Sequence, residues 1–104
     1  VALSDRVRRV VLYVLQSNQT IGVEELADVV TGWLNADRVG VATRADRDRV
    51  YAALRGRHIP VLLAADLIDY DDRTERVSIA PLPDPIRSLL STTYRSEGGT
   101  DGRP

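Results

Sequence analysis

The sequence predicts a mainly helical fold with a small β-hairpin, an α+β domain around a single core. Three observations predict it. Apolar residues recur at helical spacing in separate stretches, two short strand-like stretches flank the polar turn "DDRTE", and 104 residues at 43% hydrophobic supply one modest core rather than two.

The first helix is expected from Ser4 to about Gln16. Ser4 reads as its N-cap, Asp5 suits the positive end of the helix, and Val7, Val10, Val11, Val14 and Leu15 form an apolar stripe. Arg6, Arg9, Tyr13 and Gln16 share the opposite face, either solvated or a contact surface for a partner or a DNA backbone. After the polar turn "SNQT", the stretch "IGV" is too short for more than a minor strand. A second helix runs from about Val23 to Leu34. Val23, Leu26, Ala27, Val30 and Leu34 recur on one side, and Glu24 and Glu25 sit in the first turn, where the helix dipole favours them. Trp33 reads as a packing anchor near the helix end. Residues 35–44 lack periodicity, contain Gly40 and read as a loop.

The stretch "RVYAALRGRHIPVLLAADLIDYD" carries the third helix. Val50, Tyr51, Leu54, His58, Val61, Leu62 and Ala65 fall in one sector, so a nearly continuous helix from about Asp46 to Ala65 buries one face. Gly56 costs about 1 kcal/mol against alanine and an interior proline about 3 kcal/mol, so a kink or short break is expected near residues 56–60. Then "LIDY" is a strand, "DDRTE" a turn and "RVSIAP" a second strand with Val77 and Ile79 inward. In "PLPDPIRSLLSTTY", Asp84 reads as an N-cap and Pro85 as the first residue of a fourth helix, with Ile86, Leu89, Leu90 and Tyr94 on one side. That helix either closes over its own core or packs against its counterpart in a second chain. The domain is read as residues 1–95, and "SEGGTDGRP" from residue 96 as a disordered tail. Three helices followed by a hairpin of two or three strands is the order of a winged helix-turn-helix.

The pattern RVYxxLxxxHxPxLxxAxLIDYD, with "VEELADVV" and a tryptophan before it, resembles a small winged-helix domain of unknown function widespread in haloarchaea. The resemblance covers roughly residues 4–80. "RHIPVLLAADLI" is also similar to the end of the recognition helix in ArsR-type repressors. Where these families commonly carry glycine before the wing strand, this chain has Asp66, a residue that tolerates the left-handed backbone better than most. The resemblance implies a regulator-like DNA-binding fold.

Composition excludes several function classes. With no cysteine there are no disulfides, thiolate metal sites or cysteine nucleophiles, which agrees with a cytoplasmic protein. No apolar run approaches the roughly 20 residues of a membrane span, no leader is evident, and the start at Val1 suggests a trimmed or partial chain. All 14 cations are arginine, and Asp (11) outnumbers Glu (4), a bias that fits a GC-rich genome or a salt-loving host. His58 lies between Leu54 and Leu62 with no second histidine, and so reads as a hydrogen-bonded core residue rather than a ligand. "DYDDRTE" falls short of a calcium loop, because Arg73 and Thr74 occupy its fifth and sixth positions. No catalytic constellation, metal site, cofactor motif or small-molecule ligand is evident, and no enzyme is expected.

The net charge of −1 conceals a segregation. Residues 1–17 carry +2, 18–43 carry −3, 44–58 carry +3 and 59–80 carry −3. Two functions from different classes follow. The first is a homodimeric, DNA-binding transcriptional regulator that places helix 46–65 in the major groove of double-stranded DNA. Arg44, Arg47, Arg49, Arg55 and Arg57 are its candidate contacts, and Arg73 assists from the hairpin tip. The second is a protein-interaction module on the same scaffold, with Arg6, Arg9 and Tyr13, or the acidic wing, as its contact surface; Ile86, Leu89 and Leu90 are the candidate contacts with a second copy of the chain. The first requires guanidinium groups that project free of Asp46, Asp48 and other acids, and Asp69, Asp71, Asp72 and Glu75 around Arg73 count against it.

Overall fold

The computed structural model describes residue 3, residues 5–36 and residues 42–96. In chain order the elements are α1 (Arg6–Asn18), β1 (Thr20–Gly22), α2 (Val23–Leu34), α3 (Arg44–Ala53), a π-helical turn (Leu54–His58), α4 (Ile59–Ala64), β2 (Ile68–Asp71), β3 (Arg76–Ile79) and α5 (Asp84–Ser96). The fold is mainly helical with one three-stranded antiparallel sheet, ordered β1-β3-β2.

The cap of α1 is Asp5, whose side chain accepts from the Val7 amide at 2.8 Å; Ser4, the expected cap, lies outside the described residues. The helix also runs to Asn18, past the expected end at Gln16. Its middle differs more from expectation. Every residue from Val10 to Leu15 is buried, including Leu12 and Tyr13, which the apolar stripe left out. The reason is position: α2 and the sheet pack on one side of α1 while α5 covers another. Leu90 of α5 is fully buried, and Tyr94 packs edge-on to Tyr13 with ring centroids 5.2 Å apart. Trp33 completes the cluster, 5.6 Å from Tyr13 and 5.9 Å from Tyr94, the packing role its sequence position suggested.

The minor strand β1 is a full member of the sheet. It pairs with β3 through Thr20 opposite Ser78, Ile21 opposite Val77 and Gly22 opposite Arg76. β3 also pairs with β2, where Tyr70 lies opposite Val77, so β3 is central and Val77 fully buried. Ile79 is half-buried against the core.

The third helical segment begins at Arg44, two residues before the expected Asp46. Thr43 and Asp46 form a capping box there: the Thr43 hydroxyl accepts from the Asp46 amide at 3.1 Å, and Asp46 Oδ2 accepts from the Thr43 amide at 2.9 Å. At residues 54–58 the chain widens into a π-turn instead of breaking. Pro60 has no N–H, and in an α-helix its ring would meet the carbonyl of Gly56; the wider turn relieves that clash and carries the helix on into α4. The Ile59 amide accordingly bonds Leu54, five residues back. α4 ends in a Schellman motif: Leu67 donates to Leu62 at 3.1 Å, Asp66 donates to Leu63 at 3.0 Å, and Asp66 takes φ 60°, the left-handed position expected from the sequence.

Candidate functional site

The exposed side of α3 and the π-turn, flanked by the β2–β3 hairpin, holds the arginines singled out in the sequence. The fold sends them to different destinations. Arg47 turns towards α2. Its Nη2 donates to Glu24 at 2.8 Å, its Nε to Asp28 at 2.9 Å and its Nη1 to Asp48 at 3.4 Å, and its guanidinium lies 5.6 Å from the Tyr51 ring centroid. These bonds, Glu24 and Asp28 foremost, hold its charge more firmly than in an ordinary arginine. Arg47 therefore fastens α3 to α2.

Arg55 is also engaged. It donates to the Tyr51 hydroxyl at 3.2 Å and pairs with Glu75 at 3.1 Å, while Tyr51 itself donates to Glu75 at 3.2 Å. The Tyr51 hydroxyl first, and then Glu75, raise its pKa. Glu75 sits at φ 54°, and its carbonyl accepts from the Val23 amide at 2.9 Å. This hairpin residue thus links α2, α3 and the π-turn. Arg49 pairs with Asp46 at 2.5 Å, but its side chain remains 73% exposed. Arg44 and Arg57 are exposed and form no ion pair among the described residues. Of the five arginines named as candidate contacts, three meet carboxylates, because the acids of α2 and the hairpin lie beside α3 and the π-turn and Asp46 lies within α3 itself.

Arg73 is exposed at the hairpin tip, where its amide donates to Asp71 at 3.0 Å. Asp69, Asp71 and Asp72 are exposed around it.

The second set of predicted residues divides in the same way. Tyr13 is buried, with its hydroxyl donating to Thr93 at 2.7 Å, and Leu90 is fully buried, so neither is a surface residue. Arg6 is half-buried, and Arg9 Nη1 donates to the Leu3 carbonyl at 2.9 Å. Ile86 is half-buried against the core, whereas Leu89 is 45% exposed.

His58 is where the sequence placed it, 1% exposed, with Arg8 Nη1 3.3 Å from its Nδ1. Burial lowers its pKa, Asp5 opposes this, and Arg57 and Arg8 add to it. A neutral ring accepting from Arg8 at Nδ1 carries its proton on Nε2. Sequence reasoning does not single out Arg8. Fifty residues separate it from His58, and nothing in its local spacing marks it. Arg49, Arg57 and His58 line a cleft of about 270 Å³ with Val7 of α1 and Leu34 and Asn35 at the end of α2. Among the described residues, no three histidine or acidic side chains gather where they could hold a metal ion. No helix there is long and apolar enough to cross a membrane.

These features define a small helical domain with a three-stranded sheet and a mixed-charge face over α3. The chain belongs to the DUF7344 family, a domain of unknown function whose pattern matches residues 1–78. That match ends within β3, so α5 lies outside it. No curated protein and no solved structure matches the chain.

Proposed function

We propose that the chain is a winged helix-turn-helix domain that binds double-stranded DNA as a transcriptional regulator, through a narrower surface than its arginine count suggests. The observation that carries this reading is the placement of α3 and the π-turn: packed on α2, followed through α4 by a hairpin, and presenting Arg44, Arg49 and Arg57 to solvent. A helix so placed suits a major groove, and arginine suits both phosphate and guanine. Arg47, which meets three carboxylates, and Arg55, which meets both Tyr51 and Glu75, are each held by more than one partner and are not among the contacts. Arg49 stays among them because an exposed ion pair is worth less than about 1 kcal/mol, which a phosphate contact offsets.

A dimer would present two such helices to a two-fold site. The surface for it is the Leu89 side of α5, since Leu90 faces the chain's own core.

The acidic hairpin favours a second reading, in which the same scaffold binds a basic protein surface. Fluorescence anisotropy with a pool of duplex fragments at two salt concentrations separates the two. DNA binding predicts affinity that falls with salt, and Arg49→Ala and Arg57→Ala variants that bind more weakly, with a salt slope reduced by about 1 for each phosphate no longer neutralised. Affinity and slope unchanged in both variants, or no salt-dependent binding at all, would remove the DNA reading and leave the protein-binding one.

A further inference from the structure

The cleft between α1, the end of α2 and α3 has the makings of a ligand site. Its floor is apolar: Val7, Leu34, Val50 and Ala53 line it, and the first three are only partly buried although they pack on the core. Its rim is polar. Arg49 and Arg57 stand on the α3 side, with Asn35 at the end of α2. Small-molecule sites typically combine such an apolar body with a few convergent polar groups.

Charge defines the ligand class. Asp46 also lines the cleft and is paired with Arg49, so these two nearly cancel. His58 is buried, with its pKa lowered, and adds no fixed charge at neutral pH. Arg57, which forms no ion pair among the described residues, leaves the described part of the rim with about one unit of positive charge. One positive charge above an apolar floor matches a singly charged anion with a compact apolar body. A carboxylate fits best, since its two oxygens match the forked donors of arginine. The volume of about 270 Å³ limits the body to roughly one ring or a short chain.

We infer that this cleft binds a small apolar monocarboxylate, held by Arg57 at the rim with its body against Val7, Leu34 and Val50. Such a ligand would occupy Arg57, one of the arginines assigned to DNA, and would therefore compete with a duplex. That consequence alone rests on the function proposed above; the binding itself does not.

The test titrates the 15N-labelled chain with sodium benzoate, using benzamide as the uncharged counterpart. Saturable amide shifts centred on Val7, Leu34, Val50 and Ala53 are expected, with affinity about tenfold weaker for benzamide and for the Arg57→Gln variant. Arg57 is exposed, so the variant keeps the fold, and its unperturbed spectrum without benzoate verifies this. Shifts that do not saturate, that spread evenly over the surface, or that are the same in Arg57→Gln would overturn the site. Competition is read separately by adding benzoate to the duplex assay. A chain that takes benzoate but never binds duplex retains the site and loses only the DNA reading.

Discussion

Asp28 Oδ1 accepts a hydrogen bond from Arg47 Nε at 2.9 Å, and with Glu24 it turns the most engaged arginine of α3 inward to α2. Arg47→Ala is therefore expected to lower the melting temperature and leave duplex affinity unchanged. Because the partners are exposed carboxylates, the loss should shrink in 1 M NaCl, where the screening length is about 3 Å. Thermal melts by circular dichroism at low and high salt measure it. A variant that melts like the parent but binds DNA more weakly would reverse the roles assigned to Arg47.

Leu54 is fully buried at the head of the π-turn, which packs against α2. Leu54→Ala is expected to cost about 2–5 kcal/mol, a large part of the roughly 5–15 kcal/mol typical of a whole domain. Urea unfolding gives the value from the shift in midpoint at constant slope.

His58 makes stability fall on the acid side of neutrality. Burial holds its pKa in the folded chain below the ordinary 6.5, so as pH drops below 6.5 the unfolded chain takes up a proton that the folded chain resists. The loss continues until pH passes below the folded-state value. Asp5 acts in a lower window. Burial would raise its pKa, but the Val7 amide and the nearby His58 and Arg8 outweigh this and hold it below 3.8; its contribution is present above 3.8 and disappears as pH falls through the depressed value. Denaturant midpoints measured from pH 7.5 to 5 should decline in the parent and flatten in His58→Leu.

Asp66 occupies the left-handed position that closes α4. Glycine meets no steric penalty there, so Asp66→Gly is expected to stabilise by about 0.5 kcal/mol, while Asp66→Val costs about 1–2 kcal/mol. The order Gly, Asp, Val in urea midpoints checks the assignment. Any other order would mean that the Asp66 side chain has a further role.

Much of this architecture is legible in the residues. The second helix reads from Val23 to Leu34, the same bounds the structure has, because its apolar residues lie on one side and the periodicity records it. Val77 and His58 face inward as their local spacing implies. The burial of Leu12 and Tyr13 is not legible: a helix covered on more than one side has no single stripe, and the element that covers Tyr13 begins about seventy residues later. The π-turn is partly legible, since Pro60 and Gly56 signal trouble in a helix without saying whether the chain will break or widen.

The candidate site is the least legible part. The sequence by itself determined the order of the main helices and of the hairpin, which residues are apolar enough to fill a core, and that positive charge gathers in residues 44–58. Only the tertiary structure decided that Arg47 faces Glu24 and Asp28, that Arg55 meets Glu75, and that Arg57 stands beside a cleft floored by α1, α2 and α3 together. Periodicity is a local property of the chain, whereas an arginine's electrostatic partner is set by which distant segments packing brings within a few ångströms of it.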